Sequence, residues 1–338
     1  MKLSNFIYLF YYLKKTDWKR LSSHRSFTSK SYGIRGVRLD FDMIECTLKY
    51  GLSFHEYYYY GLWEKNAAQR SEYASMGYMY EFQKIFNPIS TRSVLADKNK
   101  FNIAYAEFLH RKVINPMLAS KTIIHEFLEG QEKVVLKKSN GSQGKDVEII
   151  KVKDMSSDAL KQYAELKQYD ILEEFVCQHD DMQKLSPNSL NTVRFITFLK
   201  QSGEVVVIGS SLRMGIDKQT DNLSSGGITC KIDTESGVIA SKGCSFDITQ
   251  PLYDVHPVSG ITLEGFKIPY WNEVRSMCFK AASKYNDNRC IGWDVAITNN
   301  GPLLIEGNHD WGARVWQMPA AKGMKTILDE FLLNEIKR

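Results

Sequence analysis

GWDVAITNNGPLLIEGN, residues 292 to 308, sets Asp294, Glu306 and Asn308 among residues that otherwise read as a buried hairpin. Two apolar strands, CIGWDVAIT and PLLIEGN, flank Asn299-Asn300-Gly301, a turn signal of the kind that closes hairpins. Centring the hairpin near Asn300 predicts that Asp294 and Glu306 face each other directly across the ladder. Side chains alternate faces, so Asn308 shares the face of Glu306, while Val295, Ile297, Leu303 and Ile305 are expected on the other. Facing carboxylates repel and destabilise a strand pair unless a cation lies between them. Three oxygen-bearing side chains on one face suit a hard divalent cation such as Mg²⁺.

The chain around this hairpin has 338 residues, room for two domains or three small subdomains. Its 43% hydrophobic and 25% charged content excludes disordered and collagen-like classes. Cysteines 46, 177, 230, 244, 278 and 290 show no CxxC and no paired histidine spacing. That argues against a disulfide framework or zinc site and predicts a reducing, cytoplasmic setting. Phe6 to Leu13 is apolar but too short to span a bilayer, and it runs straight into Lys14-Lys15. It lacks the cleavage site of a signal peptide. Phe6, Leu9, Phe10 and Leu13 follow helical spacing and predict an amphipathic helix. Residues 1 to 38 carry nine Lys or Arg against Asp17 alone, whereas the whole chain is only +5. Two readings follow: peripheral contact with an anionic surface (the inner membrane face, or a lipid-linked phosphate), or a solvated helix packed on the domain. Nucleic acid is not expected as a partner, because the charge sits at one end and the rest is acidic.

Residues 1 to 96 read as helical and aromatic-rich, including YGLSFHEYYYYGLWEKN. Asp97-Lys98 opens a predicted helix through Arg111, and Asn115-Pro116 breaks the pattern. EKVVLKKS and VEIIKVKD then bracket a loop, Asn140 to Gly144. A polar helix from Ser157 to Lys167 precedes the strand DILEEFV. NTVRFITFL and EVVVIGSSLRM form a second hairpin about Gln-Ser-Gly, and GITCKID with GVIASKG a third about Thr-Glu-Ser. Val274, Met277, Cys278, Ala281, Ala282 and Tyr285 mark one face of a helix. Met324, Ile327, Leu328, Phe331 and Leu332 mark the inward face of another. The order predicts an α+β fold with antiparallel sheets and helices packed on them.

VVLKKSNGSQGKDV delivers Lys137 from a strand into a glycine-bearing turn that Lys145 follows. Glycines let successive N–H groups approach phosphate oxygens. A Gly-x-x-Gly hairpin is equally the mark of a plain tight turn, and this one is not the GxxxxGK[ST] loop. DILEEFV admits a two-faced surface strand, with Glu173 outward and Glu174 inward. It also admits a linker strand whose backbone and Glu173 meet an adenine edge, with Asp180 or Asp181 near ribose hydroxyls. Arg194 and Arg213 occupy neighbouring strands of one hairpin, and strand parity allows both into the same cleft. Their planar forks suit carboxylate or phosphate, although solvated or salt-bridged arginines fit the pattern as well.

Taken in order, YGLSFHEYYYY, DKNKF, KKSNGSQGKDV, ILEEFV, SLNTVRF, DNLSSGGI, HPVSG and IGWDVAITNNGPLLIEGN resemble the ATP-grasp superfamily, and more narrowly its sugar-transfer-associated family. The resemblance spans about residues 30 to 315. It implies an ATP-grasp fold in which two α+β lobes clamp ATP: a helical region 1–96, an N-lobe 97–176 with the Gly-rich loop, and a C-lobe 177–338 with the metal site. By that pattern Lys98 and Lys137 hold phosphates, and Ser142, Gln143 and Gly144 cover them. Glu173, Glu174, Phe175 and Val176 meet adenine, and Asp180 meets ribose. Asp294, Glu306 and Asn308 ligate Mg²⁺, with Mn²⁺ as an alternative ion. The chain departs from the pattern at Gly292, where many such ligases carry Arg, and at Lys138, commonly Pro. Arg194 and Arg213 are therefore expected to supply the positive charge for the reacting oxygens. Asn222, Gly226, Gly227 and His256 are weaker candidates for the substrate pocket, with His256 also readable as a structural turn residue.

The resemblance implies a carboxylate–amine ligase that works through an acyl phosphate. It would act on a sugar carboxylate or amino sugar of a surface polysaccharide, as a small molecule or on a lipid carrier. Two alternatives stay open: a kinase that phosphorylates a sugar hydroxyl, and a non-catalytic nucleotide-binding regulator of polysaccharide assembly.

Overall fold

The structure, a computed structural model, describes residues 3 to 141, 146 to 216, 223 and 226 to 336. Eight helices come first: α1 Leu3–Lys15, α2 Trp18–Tyr32, α3 Gly36–Tyr50, α4 Phe54–Tyr59, α5 Ala67–Ser71, α6 Met76–Phe86, α7 Ser93–Ala96 and α8 Lys98–Ala104. Local chemistry sets their ends. Asp17 caps α2, and Ser53 with Glu56 forms a reciprocal capping box at α4. In α1 the inward stripe is buried Asn5 and Tyr12 with half-buried Tyr8 and Leu9, whereas Phe6, Phe10 and Leu13 face outward. The spacing of purely apolar residues misses this because tyrosines turn inward wherever the hydroxyl finds a partner. Tyr12 donates to Gly51 O at 3.1 Å and Tyr8 to Gly77 O at 3.3 Å.

The helix expected from Asp97 to Arg111 stops at Ala104. A 3₁₀ turn, Ala106–Phe108, and His110 in the left-handed region bend the chain so that Arg111 leaves the helix axis. Although α8 precedes the smaller sheet in sequence, Phe101 and Tyr105 pack into the core of the larger one.

The smaller sheet has the order β1-β4-β2-β3, built from β1 Val113–Ile114, β2 Lys133–Lys137, β3 Val147–Lys151 and β4 Ile171–Glu174. Helices α9 Lys121–Leu128 and α10 Ser157–Lys167 cover one face through Ile124, Phe127, Leu160 and Ala164. A short helix, α11 Asp180–Leu185, leads to the larger sheet, of order β7-β6-β5-β8-β9. Its strands are β5 Thr192–Leu199, β6 Val205–Met214, β7 Ile228–Ile232, β8 Cys290–Thr298 and β9 Gly301–Asn308. Among the described residues, the partner expected for β7 returns after the turn at Thr234 to Ser236 as isolated bridges, Ile232 to Ile239 and Thr229 to Cys244.

Alternation along β5 organises the larger sheet. Val193 and Phe195 pack under α12 Trp271–Lys284, beside Trp293 and Val295. Ile196 and Phe198 pack on the opposite face against α6 and α14 Lys325–Glu335, reached through the short α13 Arg314–Gln317. Arg194 has the parity of Ile196, so a charged end and an apolar end share one face.

Asn87 joins these layers. It is fully buried, its Nδ2 donates to Cys290 O at 2.7 Å and His309 O at 2.8 Å, and its Oδ1 accepts from Cys290 N at 3.0 Å. Asn87→Ala leaves three buried backbone groups unpaired, and we expect it to lower unfolding free energy by roughly 3 kcal/mol or more in urea titrations.

Candidate functional site

Asp294 and Glu306 are direct cross-strand partners, as the hairpin reading expects. The register reaches that pairing through a bulge. The turn pairs Thr298 with Gly301 and Val295 with Leu304, and Ile305 is the extra residue before Glu306. Leu304, rather than Leu303 or Ile305, therefore joins Val295 and Ile297 in the core, while Ile305 lines the site. Gly301, with φ of 112°, supplies the turn conformation that a side chain resists.

Two arginines answer the charge of Asp294. Arg194 stands directly opposite on β5; its Nε reaches Oδ1 at 2.5 Å and its Nη2 reaches Oδ2 at 3.1 Å. Arg213 Nη2 adds 2.7 Å to Oδ2, and its Nη2 and Nε also donate to Thr192 Oγ1. Burial raises the Asp294 pKa, but the two guanidiniums outweigh it and hold the carboxyl down to about 2. Glu306, half-buried and directly across the ladder from Asp294, is pushed up by desolvation and by that neighbouring charge. A Cβ at Gly292 would lie 2.8 Å from Trp311 Cβ and 3.1 Å from Arg194 Cδ. Glycine at 292 thus leaves room for the arm of Arg194.

The smaller sheet contributes a second buried ion cluster. Glu173 is 4% exposed, bonds Lys137 Nζ, and accepts from Arg111 Nε and Nη2 at 3.2 and 3.1 Å. Burial raises its pKa, yet Arg111 and Lys137 hold it down to about 2. Arg111 Nη1 also donates to Leu304 O at 2.6 Å, bridging the two sheets. The sequence offered no signal for Arg111, which looked like one cation in a polar helix end.

The two clusters face one cavity of about 670 Å³, lined by Lys98, Arg111, Lys137, Gly141, Glu173, Arg194, Arg213, Asp294, Glu306 and Asn308 among others. Six cationic side chains meet five acidic ones there, beside apolar Leu95, Val147, Ile171, Leu190 and Ile305. Lys98 bonds Gly141 O, and Asp170 ties the loop to α8 through Ser139 N at 2.7 Å and Asn99 Nδ2 at 2.9 Å.

Other expected residues lie elsewhere. Glu174 accepts from Lys112 N and Gln131, and Phe175 sits under Lys133. Asp180 is exposed and hydrogen-bonds Asn299 at the hairpin tip. None of these, nor Val176, lines the cavity, and the Glu173 carboxylate is spent on cations instead of facing a base. His256 is fully buried, with Nε2 3.0 Å from Gly215 O, and it folds its own turn rather than facing the site. Gly226 and Gly227 also lie off the cavity lining. Ser142, Gln143, Gly144, Lys145 and Asn222 fall outside the described residues.

The donor set fits Mg²⁺, unevenly. Three N–H groups take most of the roughly four lone-pair sites of Asp294. Glu306 carries the charge conflict that a cation would relieve. Asn308 donates its amide N–H to Gly292 O and Glu306, each at 3.3 Å, which leaves its oxygen for the cavity. Among the described residues no three His, Cys, Asp or Glu form a metal cluster, since the third donor here is an amide.

A family model described as sugar-transfer associated ATP-grasp matches residues 78–332. No curated protein matches the chain. Solved structures of similar fold include the ATP-grasp ligase PsnB complexed with a phosphomimetic variant of its minimal precursor, Mg and ADP. It is 13% identical over 78% of this chain and 67% of that one, with TM-score 0.45. The D-cycloserine synthetase DcsG is 10% identical over 75% and 77%, with TM-score 0.43. A biotin carboxylase from Campylobacter jejuni is 12% identical over 72% of this chain and 47% of that one, with TM-score 0.44.

Two substitutions test the geometry. Gly292→Ala forces Trp311 or Arg194 to shift and is expected to cost about 1–3 kcal/mol in chemical denaturation. Glu173, depressed to about 2 when folded, stabilises the fold above its unfolded value near 4.3. That contribution disappears as pH falls from about 4 to about 2. Glu173→Gln should lose this acid-side slope, and it should also cost about 3–5 kcal/mol at neutral pH by leaving buried cations unpaired.

Proposed function

The chain belongs to the sugar-transfer-associated ATP-grasp family, and from that premise we propose that it is an ADP-forming carboxylate–amine ligase acting through an acyl phosphate. One observation supports this reading most directly. Lys98 from α8, with Lys137, Arg194, Arg213, Asp294, Glu306 and Asn308 from two sheets, converge on a single cavity. Lys98 and Lys137 stand beside the glycine turn, where they would take ATP phosphates; the Glu173 ion cluster holds Lys137 in place. The apolar lining from Val147, Ile171 and Ile305 offers a surface for the base.

Glu306 and Asn308, with the remaining site of Asp294, would hold Mg²⁺ or Mn²⁺, which neutralises phosphate charge and polarises the phosphoryl oxygens. The chain's own part is positioning and charge. Arg194 spends Nε and Nη2 on Asp294, so its Nη1 edge would meet the substrate carboxylate and steady the oxyanion that forms when the amine attacks the acyl phosphate. Arg213, braced on Thr192 and Asp294, would do the same from the neighbouring strand. No side-chain nucleophile is needed. The substrate carboxylate would attack the γ-phosphorus of ATP, forming the acyl phosphate as the bond to the β-phosphate oxygen breaks and ADP leaves. The amine would then attack the acyl carbon, forming the amide with release of phosphate and a proton. The family's link to sugar transfer supports a sugar carboxylate or amino sugar of a surface polysaccharide as substrate, free or lipid-linked.

ADP release from Mg²⁺-ATP tests the proposal, with pooled uronic and amino acids screened against pooled amines and amino sugars. We expect release to require both a carboxylate and an amine, and to fall on the order of a hundredfold in Glu306→Ala. Release with a sugar that has no carboxylate would instead establish a kinase.

A further inference from the structure

Helix α1 is apolar on nearly every side, a pattern that fits a helix covered all round. The protein covers only one side. Turned away from it, Phe6, Ile7, Phe10 and Tyr11 are 39, 66, 69 and 49% exposed, and Trp18 follows at 53%. The surrounding charge is one-sided too. Asp17 caps α2, Asp40 holds Arg25, Asp42 holds Arg70 and Glu45 holds Lys49. Lys14, Lys15, Lys19, Lys30, Arg35 and Arg38 make no ion pair among the described residues. Three of these, Lys30, Arg35 and Arg38, join Arg25 around a second cavity of about 740 Å³ between α2 and α3. Val37 and Phe41, 62 and 72% exposed, stand in its lining.

We propose that this helical layer docks on the surface of a membrane containing anionic lipid. The outward side chains of α1 enter the acyl boundary, and Lys30, Arg35 and Arg38 receive headgroup phosphates in the α2–α3 cavity. A 13-residue helix is only about 20 Å long and lies in the interface plane. No helix among the described residues is long and apolar enough to cross a membrane. Charge selects this occupant over a second copy of the chain, which would set the same unpaired cations against each other. Helices α1 to α5 precede the residues that match the family, so the inference does not depend on the reaction proposed above.

Flotation of the full chain with vesicles tests it. The chain should partition at least about tenfold better onto phosphatidylcholine–phosphatidylglycerol vesicles than onto phosphatidylcholine alone, and added salt should weaken binding. Ile7→Ser with Phe10→Ser, and separately Arg35→Ala with Arg38→Ala, should each lower partition about thirtyfold with circular dichroism unchanged. Leu166→Ser, equally exposed on α10, should change nothing. Absent or lipid-indifferent binding overturns the proposal, as does a Phe10-dependent dimer in sedimentation without vesicle binding. Full binding by the arginine variant overturns the headgroup site.

Discussion

The site is organised by a buried carboxylate held between two guanidiniums. Asp294 sits on a central strand, 2% exposed, where an ionised acid without partners costs several kcal/mol. Arg194 and Arg213 reach it from the two strands beyond, on the same face, so the order of three strands is written into one ion cluster. Gly292 and Trp311 shape the channel for the Arg194 arm. With Asp294 already charged and compensated, Glu306 and Asn308 are left as the more open oxygen donors.

The smaller sheet repeats the device with the same signs. There one acid, Glu173, orders two cations, and Arg111 continues to a carbonyl of the opposite sheet. The cavity wall is therefore a set of charges fixed before any ligand arrives. Such pre-arranged charges need little reorganisation when a phosphate chain enters. Both ion clusters are buried enough that salt screens them weakly.

Much of this was legible in the sequence, for physical reasons. Acids inside apolar strands are costly enough that Asp294 and Glu306 stand out as a facing pair, which the register shows, and strand parity correctly brings Arg194 and Arg213 to one face. The polar helix from Ser157 to Lys167 has the bounds that its capping serine dictates. Where reading failed, it met effects that local pattern does not encode. A single bulge at Ile305 moves Leu303 and Ile305 off the core face without disturbing Asp294 and Glu306. Arg111 matters only because the chain turns at His110, a tertiary event. Tyrosines with hydroxyl partners reverse the inward face of α1. The linker acid expected at a base edge meets cations instead, because those cations come from distant segments.

Contacts between the two sheets gather at one end. Arg111 reaches Leu304, His110 reaches Pro302, His179 N reaches Ile297 O at 2.7 Å, and Asp180 meets Asn299, all on the turn half of a single hairpin. At the other end, among the described residues of the glycine turn, Ser139 N donates to Asp170 of its own lobe and Gly141 O meets Lys98 of α8. One edge of the cavity is therefore set by the turn half of the hairpin that also carries Asp294 and Glu306. The strand pair that forms the cavity floor thus also sets the spacing between the two sheets, so floor and width are fixed by a single turn.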